Sequence, residues 1–165
     1  MTISDVMMQE FLHESEITKK LLDRVPEDKL DWKPHEKSMS LGRLATHVAE
    51  IPEWTDVIVN NDFFDMAASD YKPTVCKNRT ELLEVFEDRV RKFKQVMEGK
   101  DDASLMENWQ LRQGEHVALE LPKAACLRSF ILSHIIHHRG QLSVYLREND
   151  VPLPGIYGPS ADEKG

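Results

Sequence analysis

Apolar residues recur at three- and four-residue intervals in four separated stretches of this chain, the spacing of helices that bury one face. From about Ser4 to Val25 that face carries Met7, Phe11, Leu21, Leu22 and Val25. Pro26 closes the stretch, because proline disfavours the α region for the residue before it. A polar run follows to Met39, broken by Pro34 and pinned to the core by Leu30 and Trp32. Ser40 is placed to cap a second helix. On its wheel Leu44, His47, Val48, Ile51, Trp54, Thr55 and Ile58 fall within about 60° of Ile51. Pro52 predicts a kink there, since it cannot donate to the carbonyl of Val48.

Breakers then dominate from Asn60 to Lys77, with Asn61-Asp62, Ser69-Asp70 and Pro73. A third helix is expected from about Thr80 to Met97, with Leu82, Leu83, Phe86, Val90, Phe93 and Met97 inward and Gly99 as its stop. Its Arg89-Val90-Arg91-Lys92 charges read as an exposed face. Residues Lys100 to Leu121 are the least regular; Val117, Leu119 and Leu121 alternate after Gly114 like a short extended piece. Pro122 suits the first turn of a fourth helix running to about Asn149, striped by Leu127, Ile131, Ile135, Leu142, Tyr145 and Leu146. The proline-containing tail from Val151 to Pro159 cannot be helical and is expected to lie along the helices. The pattern predicts one domain, residues 1–165: an all-α four-helix bundle with irregular connections and a non-helical C-terminal tail.

Composition narrows the function classes. A chain of 165 residues buries roughly 70% of its unfolded surface, enough for a core without disulfides or structural zinc. The net charge of −8 and pI near 5.4 argue against a nucleic-acid binder, which needs a cationic footprint. Cys76 and Cys126 form no C-x-x-C and read as reduced thiols, although a disulfide between them is possible in principle. No signal-peptide pattern opens the chain, and no apolar run approaches the ~20 residues of a membrane span. The expectation is a soluble, cytoplasmic protein with neither a membrane nor a nucleic-acid partner.

The chemistry concentrates in Ser133-His134-Ile135-Ile136-His137-His138-Arg139-Gly140-Gln141-Leu142. With Ile131 as zero, His138 falls at about −20° and His134 at about −60°, inside or beside the stripe, while His137 at about −120° turns away. His47 lies at about −40° on the second helix. One such histidine reads most simply as a hydrogen-bonded core residue. Three neutral imidazoles facing one interior from two helices would instead strand polar nitrogens, at ~1–3 kcal/mol each, and a shared cation removes that cost. Three histidines with an open fourth position describe a catalytic rather than a structural site. The metal ligands read from the wheels are therefore His47, His134 and His138.

The remaining candidates carry less. Glu10-x-x-His13 is half of a ferritin-like dinuclear motif whose other half is missing. His35 and His116 sit in polar, irregular stretches, and H-E-x-x-H does not occur. Gln141 and Tyr145 lie on the side of His134 and could donate to a ligand there, or serve as a local hydrogen-bonder and a core residue. Gly140 within a helix suggests a close approach by another segment, with the tail one candidate. Arg139, at about +80°, either anchors an acidic group at the helix edge or is solvated.

His47 in Leu44-Ala45-Thr46-His47-Val48, the His-x3-His-Arg-Gly-Gln element at His134–Gln141, and the tail Val151-Pro152-Leu153-Pro154 together resemble the DinB family. That damage-inducible, metalloenzyme-like superfamily includes thiol-dependent S-transferases. The likeness spans nearly the whole chain. It implies a four-helix bundle, often a homodimer, with a divalent metal on a histidine triad, and the triad it implies is again His47, His134 and His138. The family name reflects induction by DNA damage and implies no DNA binding.

Three functions stay open at this point. The first is a metal-dependent transferase joining a low-molecular-weight thiol to a small electrophile, with the thiol deprotonated by the metal. In it Cys76 and Cys126 are not the nucleophiles. The second is a hydrolase using metal-bound water, for which the motif fixes no carboxylate base; Glu50 and Glu53 are only sequence neighbours of His47. The third is a non-catalytic metal- or ligand-binding dimer. The metal is a divalent transition ion, zinc or nickel foremost, with iron, manganese or copper also compatible with imidazole ligands.

Overall fold

Thr2 starts the first helix. Its hydroxyl accepts from the Asp5 amide at 3.1 Å while the Asp5 carboxylate accepts from the Thr2 amide at 2.8 Å, which satisfies two amides that a helix start leaves unpaired. The computed structural model describes residues 1–163. In it α1 spans Ile3–Leu22, and Ser40 caps α2 (Leu41–Glu50) by accepting from the Arg43 amide. Pro52 breaks the second helix as its missing N–H predicts: Ile51–Glu53 tighten into a 3₁₀ turn before α3 (Trp54–Val59). After β1 (Phe63–Asp65), Asn78 caps α4 (Arg79–Met97). The short α5 (Asp102–Leu105), β2 (Asn108–Gln113) and β3 (His116–Pro122) follow. The last helical run is α6 (Lys123–Leu127), a wide π-type turn at Arg128–Ser133, and α7 (His134–Glu148). Phe11 of α1 stacks on Phe93 of α4 with ring centroids 3.7 Å apart. Around this pair Leu21, Leu44, Val48, Phe86, Ile135 and Leu142 form the dry centre. No helix among the described residues is long and apolar enough to cross a membrane.

The all-α bundle expected from periodicity is not what forms. The chain is mixed, with a three-stranded sheet in the order β1-β2-β3, β1 parallel and β3 antiparallel to β2. The alternation at Val117–Leu121 does mark a strand, β3, but its partners leave fainter traces. Only Trp109 of the sheet is fully buried, and its indole N–H donates to the Val57 carbonyl at 3.3 Å. The rest of β2 is polar: Asn108 and Gln110 both donate to Glu120 across the ladder, and Arg112 donates to Gln110. Such a strand reads as loop because one large residue does the docking. The hairpin turns at Gly114, whose φ of +61° is left-handed. A two-residue connection between paired Gln113 and His116 calls for that conformation. β1 is held by Asp65, which accepts from the Gly114 amide, and by Arg112 lying 4.0 Å over the Phe63 ring.

Two open points on α7 resolve. Nothing comes within 4 Å of a Cβ built on Gly140, so no segment approaches there and the expected close contact is absent. Arg139 is an anchor, but in the core rather than at the helix edge: it is 1% exposed. Its guanidinium pairs with the Glu14 carboxylate at 2.6 Å and donates to the Glu14 carbonyl at 3.0 Å and the Thr18 hydroxyl at 3.2 Å. Tyr157 completes the cluster, its hydroxyl accepting from Arg139 and donating to Glu14. The tail is thereby strapped to α1 and α7, with Arg24 donating to the Pro152 carbonyl.

Truncating one partner of a buried ion pair leaves the other charge stranded. Glu14→Ala should cost about 3–5 kcal/mol, whereas Tyr157→Phe, which leaves the two charges on each other, should cost about 1 kcal/mol. Urea unfolding of the two variants checks the ratio.

Candidate metal centre

α2 ends beside α7, and that juxtaposition brings together side chains 87 and 91 positions apart in sequence. His47 projects from the last turn of α2; His134 and His138 stand one turn apart on α7. Ring centroids are 5.0 Å apart for His47 and His134, and 4.6 Å for the two pairs that include His138. One ligand atom from each ring lies within 4.8 Å of the others. All three imidazoles are half-buried. His137 is exposed, its ring 4.8 Å from that of His138 on the outer side of the cluster. His13, His35 and His116 are exposed as well, and Glu10, the other half of the dinuclear motif, pairs with Arg128.

Each ring is held by its Nδ1. His47 Nδ1 lies 3.3 Å from a Glu50 carboxylate oxygen, His134 Nδ1 3.3 Å from the Phe130 carbonyl, and His138 Nδ1 2.7 Å from the Gln141 side-chain oxygen. All three partners are acceptors, so each Nδ1 carries the proton and each Nε2 presents a lone pair. His47 Nε2 then faces His134 Nε2 at 3.3 Å with no proton to share. Two lone pairs at that distance repel unless a cation lies between them. Imidazole nitrogens at about 2.0–2.1 Å from a tetrahedral zinc stand about 3.3–3.4 Å apart. The donor set fits a transition metal, and the triad could hold one.

The wide turn before α7 serves this arrangement. The backbone N–H of His134 bonds to the Ile131 carbonyl, and the Phe130 carbonyl faces the His134 ring. Turns of this kind recur at functional sites. Phe130 is in turn wedged between Trp54 and Trp109, with centroids 5.7 and 5.8 Å away.

Burial and the neighbouring imidazoles favour the neutral form of His134 and His138. Desolvation pushes the pKa of His138 down to about 4, outweighing the Gln141 hydrogen bond, and lowers that of His134 as well. Glu50 goes the other way for a carboxylate at such depth. Burial would raise it, but hydrogen bonds from His47 and Arg43, with the Thr74 amide behind them, hold it at about 2. Arg43 donates to Glu50 at 2.7 Å and Thr74 at 3.1 Å. Periodicity gave no means of finding this orienting role for Glu50, since a carboxylate three residues after a histidine is common on solvated helix faces. Gln141 is an orienting acceptor for His138 rather than a donor to a ligand, and Tyr145 packs edge-on against Trp32 instead of entering the site.

His47 also borders a cleft of about 570 Å³ between α2, α3 and the segment that carries β1. Its walls are Ile51, Trp54, Val57, Phe64, Met66 and Tyr71, with Glu50, Glu53, Ser69 and Asp70 as the polar members. Cys76 and Cys126 are free thiols, and neither lines this space.

Comparison with known proteins gives the same outline. The uncharacterized protein YrdA of Bacillus subtilis (strain 168) is 29% identical over 163 residues, 96% of this chain and 90% of its own. Two solved structures share the fold at TM-score 0.71 and 22% identity. One is a DinB-like protein of Bacillus cereus ATCC 10987, covering 92% of this chain and 95% of its own. The other is the DinB-like protein YjoA of Bacillus subtilis, covering 93% and 99%. The DinB family profile matches residues 1–164, and the chain belongs to the DinB family.

Proposed function

We propose that this protein is a metal-dependent enzyme that binds a divalent transition ion through His47, His134 and His138 and transfers a low-molecular-weight thiol to a small electrophile. The observation that carries the reading is that one ligand atom from each of the three rings lies within 4.8 Å of the others, with His47 and His134 Nε2 3.3 Å apart, while every Nδ1 lies against an acceptor. When bound, the ion supplies a Lewis acid that deprotonates a coordinating thiol near neutral pH. The protein's own groups do the rest. Glu50, Phe130 and Gln141 fix the tautomer and direction of the rings, so little reorganisation accompanies the reaction. The walls at Trp54 and Phe64 exclude water and hold the electrophile beside His47. The new sulfur–carbon bond forms as the electrophile's leaving group departs with its electron pair, and the thiol proton passes to solvent. Glu50, the carboxylate in contact with the triad, is already engaged by Arg43, His47 and the Thr74 amide, which leaves it poorly placed to activate water. That favours a nucleophile brought in by the cosubstrate over a hydrolase.

The proposed ligands make distinct predictions. His47→Ala, His134→Ala and His138→Ala should each weaken zinc or nickel binding at least about a hundredfold, whereas His137→Ala should change it less than about threefold. Calorimetric titration of tag-free protein checks this, and circular dichroism should show all four variants folded.

Proton release gives an independent reading. A histidine with a lowered pKa is already neutral when the metal arrives, and competes with protons only as the pH falls toward its own value. Near pH 5 His138, at about 4, should release almost no proton. Binding should then liberate no more than about two protons per ion, where three ordinary imidazoles would liberate nearly three. Titration in buffers of different ionisation enthalpy measures the number.

For activity, metal-loaded protein should consume a panel of electrophiles only when a small thiol is present. Turnover without thiol would move the assignment to a hydrolase, and no turnover with any pair would leave a binding protein. A homodimer completes the proposal; light scattering should return about twice the 19.1 kDa chain mass.

A further inference from the structure

The cleft beside His47 is chemically lopsided. Its apolar members are Trp54, Phe64, Met66 and Tyr71 among others, and its charged members are the carboxylates Glu50, Glu53 and Asp70, with no lysine or arginine in the lining. Trp54 and Phe64 meet edge to face, with centroids 5.1 Å apart, which builds an aromatic corner with ring surface available to a flat guest. A cleft of about 570 Å³ is within the range that encloses most of a small organic molecule.

The three carboxylates are not equivalent. Glu50 is buried and neutralised by Arg43 at 2.7 Å, and Glu53 lies 3.3 Å from the Arg89 guanidinium. Asp70 is exposed on the segment that closes the cleft, and among the described residues no cation lies within ion-pairing distance of it. The chain's net charge of −8 adds a repulsive background for anions.

From this we infer that the electrophile accepted here has a flat apolar body that is uncharged or cationic, seated against Trp54 and Phe64, and that Asp70 turns anionic molecules away. The inference rests on the transferase reading for calling the guest an electrophile, but its binding preference does not need the metal. Charge discrimination falls to Asp70 because the other two carboxylates already have partners. Shape discrimination falls to the aromatic corner, which rewards planar guests and offers an extended aliphatic chain less contact.

Three unreactive probes of one shape separate the terms: naphthalene-2-carboxamide, 2-naphthylmethylammonium and naphthalene-2-carboxylate, titrated calorimetrically into the full chain with and without zinc. In the metal-free protein the amide and the ammonium should bind about tenfold more tightly than the carboxylate. Asp70→Lys should bring the carboxylate level with or ahead of the ammonium, while leaving the amide within about twofold. Trp54→Phe, which keeps an aromatic wall, should weaken all three about equally, and circular dichroism confirms that both variants are folded. Equal affinities for the three probes, a preference for the carboxylate, or no binding at millimolar concentration would overturn the inference. The predicted order together with thiol-independent chemistry would sink the transferase reading and leave the cleft's preference standing. Thiol transfer without the order would do the reverse.

Discussion

A guanidinium that is 1% exposed has to find its partners inside the protein, and Arg139 finds them all on α1 and the tail. That requirement sets the rotation of α7. If the helix turned by one residue the charge would be stranded, at a cost comparable with much of a domain's net stability. Arg139 follows His138 directly, so the ion pair with Glu14 on one side of α7 decides where His138 and His134 point on the other. The meeting of these rings with His47 follows from a contact that involves none of them.

The same economy runs through the electrostatics. Three neutral imidazoles bring no charge of their own, and the one anion that touches them, Glu50, is already balanced by Arg43. An ion seated there would keep most of its positive charge and offer it at the open coordination position. Such a position would favour an anionic ligand over water, in keeping with the proposed thiol chemistry. Surrounding carboxylates then act on a different molecule, at a different distance, and the two preferences need not conflict.

The sequence displays what periodic burial controls. Helical stripes at Met7–Leu22, Leu44–Ile58, Leu82–Met97 and Leu127–Leu146 became helices because each had a dry face to fill. Pro52, Ser40 and Gly99 acted where local chemistry placed them. The three histidines were legible for the same reason, lying on buried faces of helices. What escaped notice depends on pairing across distance. β2 carries one buried residue, Trp109, and β1 is three residues long, so neither imposes a pattern of its own. The orienting role of Glu50 arises from Arg43 and from the Thr74 amide, 24 residues away. Arg139 looked like an edge residue because its wheel angle carries no information about a carboxylate on another helix.

The wide turn at Arg128–Ser133 has a consequence for how the protein can change. An α-helix advances about 100° per residue, and this turn lodges an extra residue without unwinding the helix that contains it. Removing that residue would give a smoother helix whose downstream half had swung away from α2 and α1 together. A substitution on α7 acts at its own position. A change of length in this turn acts on every residue from His134 onward at once. The length of this turn therefore fixes the aim of His134 and His138 before any side chain on α7 is chosen.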